Sequence, residues 1–195
     1  GQPLNTIFNR QDFSFTKKRT GIAAAVLVAL FMSLAVIHSR VFSDRLAFWK
    51  SAAVHSPHLP LAQRNLGAMY YLDGNLDRAA AQYHKALALN PEEKMAHNNL
   101  GLIDAARGEY QKAEAEYKEE LAINPHYDNA LFNLGLLYYQ TNRKDEAARL
   151  WLEVLAVNPR YADAYARLAQ YYSEKGDAEK AEQYAKAAGL SLPRQ

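Results

Sequence analysis

Cysteine is absent from the 195 residues, which excludes a disulfide framework, a thiol nucleophile and thiolate ligation of a metal. Charge of one sign is scarce too: 23 Lys and Arg against 21 Asp and Glu leave a formal net charge of +2. Without a basic face there is no electrostatic footprint for a nucleic acid, so no such partner is expected. No glycine-rich phosphate loop, no Gly-x-Ser-x-Gly and no histidine–acid set at metal-ligand spacing occurs. His55 and His58 flank Pro57, so they cannot share a regular helix face and read as surface residues. The paired acids Glu92-Glu93 and Glu119-Glu120 read as helix-end or exposed carboxylates, the first pair meeting the dipole of a helix that begins after Pro91. Neither a cofactor nor an enzymatic activity is expected. No Asn-x-Ser/Thr sequon occurs, which favours a bacterial envelope over a eukaryotic lumen.

The 9 glycines and 7 prolines are few, but most of them are periodic. Leu66-Gly67, Leu100-Gly101, Leu134-Gly135 and Leu168-Ala169 recur every 34 residues, and Pro91, Pro125, Pro159 and Pro193 close the four units. Aligned from Pro60, Lys94, Asp128 and Ala162, the eleventh place holds Tyr70, Asp104, Tyr138 and Tyr172. The fifteenth holds Gly74, Gly108, Asn142 and Gly176, and the twentieth Ala79, Ala113, Ala147 and Ala181. The twenty-fourth holds Tyr83, Tyr117 and Trp151, with Ala185 breaking the column. Within each unit the apolar residues recur at helical spacing in two runs, which makes two amphipathic helices. Gly or Asn between the runs suits the positive φ of a tight turn, and proline after Asn90, Asn124 and Asn158 stops the second helix. One hairpin cannot bury its apolar face alone, so the units must stack.

Over residues 60 to 193 these columns resemble the tetratricopeptide repeat (TPR). The fold class expected is all-α: a single N-terminal transmembrane helix, then a TPR superhelix of a half repeat plus four helix-turn-helix repeats. One period before Pro60, Trp49, Ala52 and Pro57 fall on repeat places. Residues 43–57 therefore read as a half repeat, an orphan second helix capped by Ser43 or Asp44 that covers the first face of the array. The full repeats are expected at 60–93, 94–127, 128–161 and 162–195, the last degenerate and without the polar cap that usually ends such arrays. The initial glycine and the stop two residues after Pro193 suggest a processed chain or part of something longer.

Gly21 to Ile37 is a run of seventeen residues without a charge, bounded by Lys17-Lys18-Arg19 and His38-Ser39-Arg40. At roughly 1.5 Å per residue it reaches the short end of a bilayer crossing. Residues 21–38 are therefore expected to span a lipid bilayer, and residues 1–20 to form a basic arm. The arm carries Arg10, Lys17, Lys18 and Arg19 against Asp12, whereas residues 60–195 carry 16 Lys and Arg against 19 Asp and Glu. The positive-inside tendency then places the arm in the cytoplasm and the repeats in the periplasm of a bacterial inner membrane, with Arg40, Arg45 and Lys50 pulling the other way.

The resemblance implies that the first helix of each unit lines a concave groove, through places two, five, six, nine, twelve and thirteen. Place six holds Asn65, Asn99, Asn133 and Arg167. A ladder of asparagines, each donor and acceptor, can pair with the peptide groups of an extended segment, or can bond neighbouring helices to one another. Around it lie Leu61, Arg64, Tyr71, Leu72, Met95, Leu102, Phe132, Leu136 and Tyr139, exposed for a ligand or packed between helices, with Asp163, Arg167 and Glu174 at the distal end. The clamp for chaperone C-termini that some TPR domains carry has Lys, Asn, Asn, Lys and Arg where this chain has Arg64, Ala68, Asn99, Asn129 and Asn133, so most of its cations are missing and that ligand is not expected. A protein or peptide partner in the groove is expected, on a membrane-anchored adaptor or scaffold. Two alternatives remain open: the C-terminal region of a polytopic membrane glycosyltransferase, which the layout resembles, and a structural subunit of a membrane complex or oligomer stacking through its last repeat.

Overall fold

The computed structural model describes the backbone of residues 10–189, and the side chains of that range except 10–25, 29, 35, 37–39, 41 and 42. Among the described residues there are nine α-helices. Helix α1 is Arg10–His55; the hairpins that follow are α2 (Pro60–Leu72) with α3 (Leu76–Leu89), α4 (Ala96–Ala106) with α5 (Tyr110–Ile123), α6 (Asp128–Gln140) with α7 (Lys144–Val157), and α8 (Ala162–Glu174) with α9 (Ala178–Ala187). The chain divides into two compact units, residues 1–48 and 49–195.

Within the second unit each helix from α2 onward packs on its sequence neighbour, and α4 also touches α6. The reason for the hairpin is visible at places eight and twenty-four. A Cβ built on Gly67 or Gly101 would meet the ring of Tyr83 or Tyr117 at 3.0 Å or less, and one on Gly135 would lie 2.5 Å from Trp151 Nε1. Glycine is thus required by the close approach of a ring to the facing backbone. In the fourth hairpin both places differ from the other three: Ala169 replaces the glycine, Ala185 replaces the ring, and both are buried.

The turns follow the sequence rule, with positive φ at Gly74, Gly108, Asn142 and Gly176. Helices α3, α5 and α7 end at Asn90, Asn124 and Asn158, whose extended backbone is the geometry a following proline imposes. Two expectations are corrected. Helix α1 does not start at Ser43 or Asp44: it is continuous through them, because no glycine or proline interrupts residues 22–56. Pro91 does not open α4, which begins at Ala96 instead, so Glu92 and Glu93 lie in the connection before it.

Residues 49–59 meet α2 through the Lys50 ammonium over the Tyr70 ring at 5.8 Å and through Gln63 Nε2, which donates to the Pro57 carbonyl at 3.1 Å. Of the expected arm, residues 1–9 lie outside the described residues. So do the side chains of 21–25, 29, 35, 37 and 38 within the expected membrane span. Among the described residues no helix is long and apolar enough to cross a membrane. At the other end, α9 exposes Glu179, Lys180, Glu182, Gln183 and Lys186, and among the described residues no large hydrophobic is exposed on α8 or α9. The last residues of the expected fourth repeat, 190–195, lie outside the described residues.

Tyr83 and Tyr117 are fully buried, and burial pushes their phenols far above the ordinary 10.0, while Tyr161 is pushed up to about 12 by the same cause. Because the folded value lies above the unfolded one, the neutral phenols stabilise the fold fully below pH 10, and that contribution is lost as pH rises through the folded values. Melting followed by far-UV circular dichroism is expected to give a constant midpoint to about pH 9 and a steady fall above pH 10. A midpoint that stays flat to about pH 12 counts against burial of these hydroxyls.

Candidate functional site

The groove-side candidates sit on α2, α4, α6 and α8, and the structure sorts them into three polar groups. In the first hairpin Arg64 is half-buried and committed: its guanidinium pairs with Glu93 Oε1 at 3.3 Å, donates to the Lys94 carbonyl at 3.1 Å and reaches Asn65 Oδ1 at 3.5 Å. It ties α2 to the connection before α4, the packed one of the two readings open to it. Asn65 and Tyr71 are half-buried beside it, while Leu61 and Leu72 are 41% and 63% exposed.

The second group is a relay of amides. Asn98, buried, donates to Asn99 Oδ1 at 3.4 Å and accepts from Asn133 Nδ2 at 2.9 Å. Asn133 therefore bonds a neighbouring helix, which is the second of the two uses open to the ladder; its carbonyl oxygen is not part of that bond. Asn99 also lies beside the Tyr83 hydroxyl. Met95 caps α4 with φ +70°, and Leu102 is half-buried. Glu120 from α5 holds this region together: it is fully buried, and its carboxylate accepts from the backbone N–H of Met95 at 2.8 Å and of Asn98 at 3.2 Å. An acid read from sequence as exposed is thus the N-terminal cap of α4, supplied from the partner helix of the hairpin.

The third group lies at the distal end. Tyr139 donates its hydroxyl to Glu174 and accepts from Gln170 Nε2 at 2.9 Å, Lys144 pairs with Glu174 at 2.8 Å, and Arg167 donates to Gln170 Oε1 at 3.3 Å. The Lys144 ammonium, and after it the Tyr139 hydroxyl, hold the Glu174 carboxyl down at about 2. Arg167 is exposed, on the wall of a depression of about 280 Å³ lined also by Phe132, Asp163, Ala166 and Gln170. Phe132 is largely buried, its ring 5.0 Å from Tyr161 and 6.5 Å from Trp151, so it packs internally more than it faces a ligand. Leu136 and Tyr139 are half-buried against the same core.

Sequence reasoning overlooked Asn98 and Gln170 and took Glu93 and Glu120 only for helix-end or exposed carboxylates. Two of them had a signal in the columns. Glu93 stands where Tyr127 and Tyr161 precede the next two hairpins, and Glu120 where Ala86, Val154 and Ala188 occupy the equivalent place. The slot shared by Arg64 and Glu93 as an ion pair is filled by Phe132 and Tyr161 as a ring pair two repeats later. Among the described residues no cluster of three or more His, Asp or Glu side chains is placed to hold a metal ion.

Paired helices with a ring against glycine, positive φ in each turn and Asn-Pro stops describe a TPR array, and residues 56–191 match the profile of the cilia and flagella-associated protein 70 middle TPR-like domain. The chain belongs to this TPR-like family. Solved TPR-like structures agree with it in fold. A crystal structure of MamA superposes with a TM-score of 0.65 at 24% identity, covering 75% of this chain and 86% of that one. MamA 41-end from Desulfovibrio magneticus RS-1 gives 0.65 at 20% identity, covering 81% and 89%. PilF of Pseudomonas aeruginosa gives 0.71 at 18% identity, covering 83% and 74%. No sequence among the curated proteins matches. At these identities the likeness of this TPR-like chain to them is one of fold alone.

Proposed function

We propose that the chain is a membrane-anchored TPR scaffold that holds an extended segment of a partner protein along α2, α4, α6 and α8. The observation that carries this reading is the presence on the first helices of exposed apolar side chains, Leu61 and Leu72 of α2, together with the amides Asn65 of α2 and Asn99 of α4 and the guanidinium of Arg167 on α8. Apolar contact supplies affinity and the amides supply backbone pairing, which suits an extended peptide rather than a small substrate. The reading is one of binding, not of catalysis.

The test is affinity capture on the intact chain in detergent, comparing the wild type with a Leu72→Asp, Asn99→Ala, Arg167→Ala variant. Leu72 and Arg167 are exposed, whereas Asn99 also accepts from Asn98 at 3.4 Å, so the melting midpoint is the control for bonds lost within the fold. A specific partner is expected to fall by about tenfold or more, the loss of two or three contacts of about 1 kcal/mol each, with a melting midpoint within a few degrees of wild type. An unchanged partner set overturns the groove.

The anchor is proposed over residues 21–38, with the repeats on the extracytoplasmic side. Its support is the uncharged run, in which Val26, Leu27, Val28, Leu30, Phe31, Met32, Leu34 and Val36 are each more than half exposed along α1. A surface of that kind is costly in water and favourable in hydrocarbon. Retention in the membrane after alkaline carbonate extraction is the expected result. Digestion of the repeats by protease added to spheroplasts checks the orientation, and protection reverses it.

A further inference from the structure

The three boundaries between successive hairpins share one kind of bond. At each, a carboxylate near the start of the second helix reaches forward to a cation in the turn of the next hairpin. Asp77 of α3 pairs with Arg107, and Asp145 of α7 pairs with Lys175 at 2.9 Å. Both acids stand at place eighteen, and both cations at place fourteen of the following unit. At the boundary between these two, Glu114 of α5, at place twenty-one, pairs with Arg143 at 2.9 Å. Two of the three acids also accept a hydroxyl from the next first helix: Glu114 from Tyr138 at 2.9 Å, and Asp145 from Tyr171. Each tyrosine precedes its cation by four or five residues, so one helix end delivers both groups. Helix α9 carries an acid at each of the two places. Glu179 stands at place eighteen and Glu182 at place twenty-one; both are exposed, and among the described residues neither meets a cation.

We propose that this face of α9 docks a helical hairpin of a different protein, one whose first helix ends in tyrosine followed four or five residues later by arginine or lysine. Glu179 and Glu182 take the arriving cation and hydroxyl as Asp145 and Glu114 take theirs within the array. With no large hydrophobic exposed on α9, complementary charge sets the register and the choice of partner. A second copy of this chain does not supply such a hairpin. Its α2 is followed by Asp73 at place fourteen and Asn75 at place sixteen, which sets an acid against Glu179. Gln63 of that α2 is also buried already, donating to the Pro57 carbonyl. The two acids thus select against self-stacking as well as for a basic partner. The surface lies on a second helix, whereas the groove residues lie on first helices, so the inference does not depend on the groove.

The test joins an extra copy of residues 128–157, which carry Tyr138 and Arg143, through a flexible linker to the C-terminus of the full chain. One hairpin does not bury its apolar face alone, so hydrogen exchange of the added copy in detergent reports whether it docks. Its amides are expected to exchange at least about tenfold slower than those of the same hairpin as a free peptide. Glu179→Lys with Glu182→Lys is expected to remove that protection while exchange in α2 to α7 stays unchanged, and Arg143→Glu in the added copy alone is expected to restore it. A copy of residues 162–187, with Tyr171 and Lys175, is the second probe. Two copies that both exchange like free peptides overturn the proposal, and so does protection that survives reversal of the acids. Protection that appears only after removal of residues 190–195 assigns the face to the chain's own end. Dimers of the unextended chain that vanish on reversal of the acids assign it to a second copy. Either result also overturns the proposal.

Discussion

Trp151→Ala is expected to destabilise the array by about 3–5 kcal/mol, the largest effect of any single truncation. The indole is fully buried, packs 5.6 Å from Tyr139 and 6.5 Å from Phe132, and donates Nε1–H to the Phe132 carbonyl at 3.4 Å. It also fills the space that Gly135 leaves open. Gly135→Ala alone is expected to cost about 1–3 kcal/mol through overpacking, since the new methyl would overlap the ring. The fourth hairpin shows what happens when both members change: Ala169 and Ala185 coexist, each buried. The double variant Gly135→Ala, Trp151→Ala is therefore expected to lose less than the sum of the two singles, with a coupling of about 1–2 kcal/mol. Urea unfolding measures all three, and strict additivity would show that the ring and the glycine are not one packing unit.

Glu120→Ala is expected to cost about 2–4 kcal/mol, because two backbone N–H groups at the start of α4 lose their acceptor inside a dry interface. Glu120→Gln keeps an oxygen for one of them and should lose roughly half as much. Glu120→Val copies the residue that the third hairpin has at this place, yet it is expected to resemble alanine rather than to stabilise, since α4 still begins at Ala96 and still needs a cap. Equal losses for glutamine and alanine would mean that the carboxylate fills space and does not cap.

Most of the hairpin architecture was legible in the sequence because it depends on single residue types at fixed offsets. A ring needs a glycine opposite it, a left-handed turn position needs Gly or Asn, and proline ends the preceding helix, so the period alone located the helices, turns and stops. The candidate site was legible only as a set of positions. Whether Arg64 is a free cation or the partner of Glu93, and whether Asn133 faces a ligand or Asn98, depends on side chains about thirty residues away in sequence. Column comparison could have flagged Glu93 and Glu120 as departures, but not what each departure compensates.

The continuity of α1 through residues 39–43 shows the converse. Ser43 and Asp44 are good caps in isolation, yet a cap residue ends nothing when helical neighbours on both sides lack a glycine or proline to break the hydrogen-bond ladder.

By itself, then, the sequence determined the period, the all-α repeat and the family, because those follow from local backbone chemistry repeated every 34 residues. Only the tertiary structure decided that a buried carboxylate of α5 starts α4, that Arg64 is held by Glu93, and that Asn133 bonds Asn98 of the neighbouring repeat. The physical reason is that burial and pairing belong to contacts between elements, and one residue's cost is offset by a partner that its own helix does not contain.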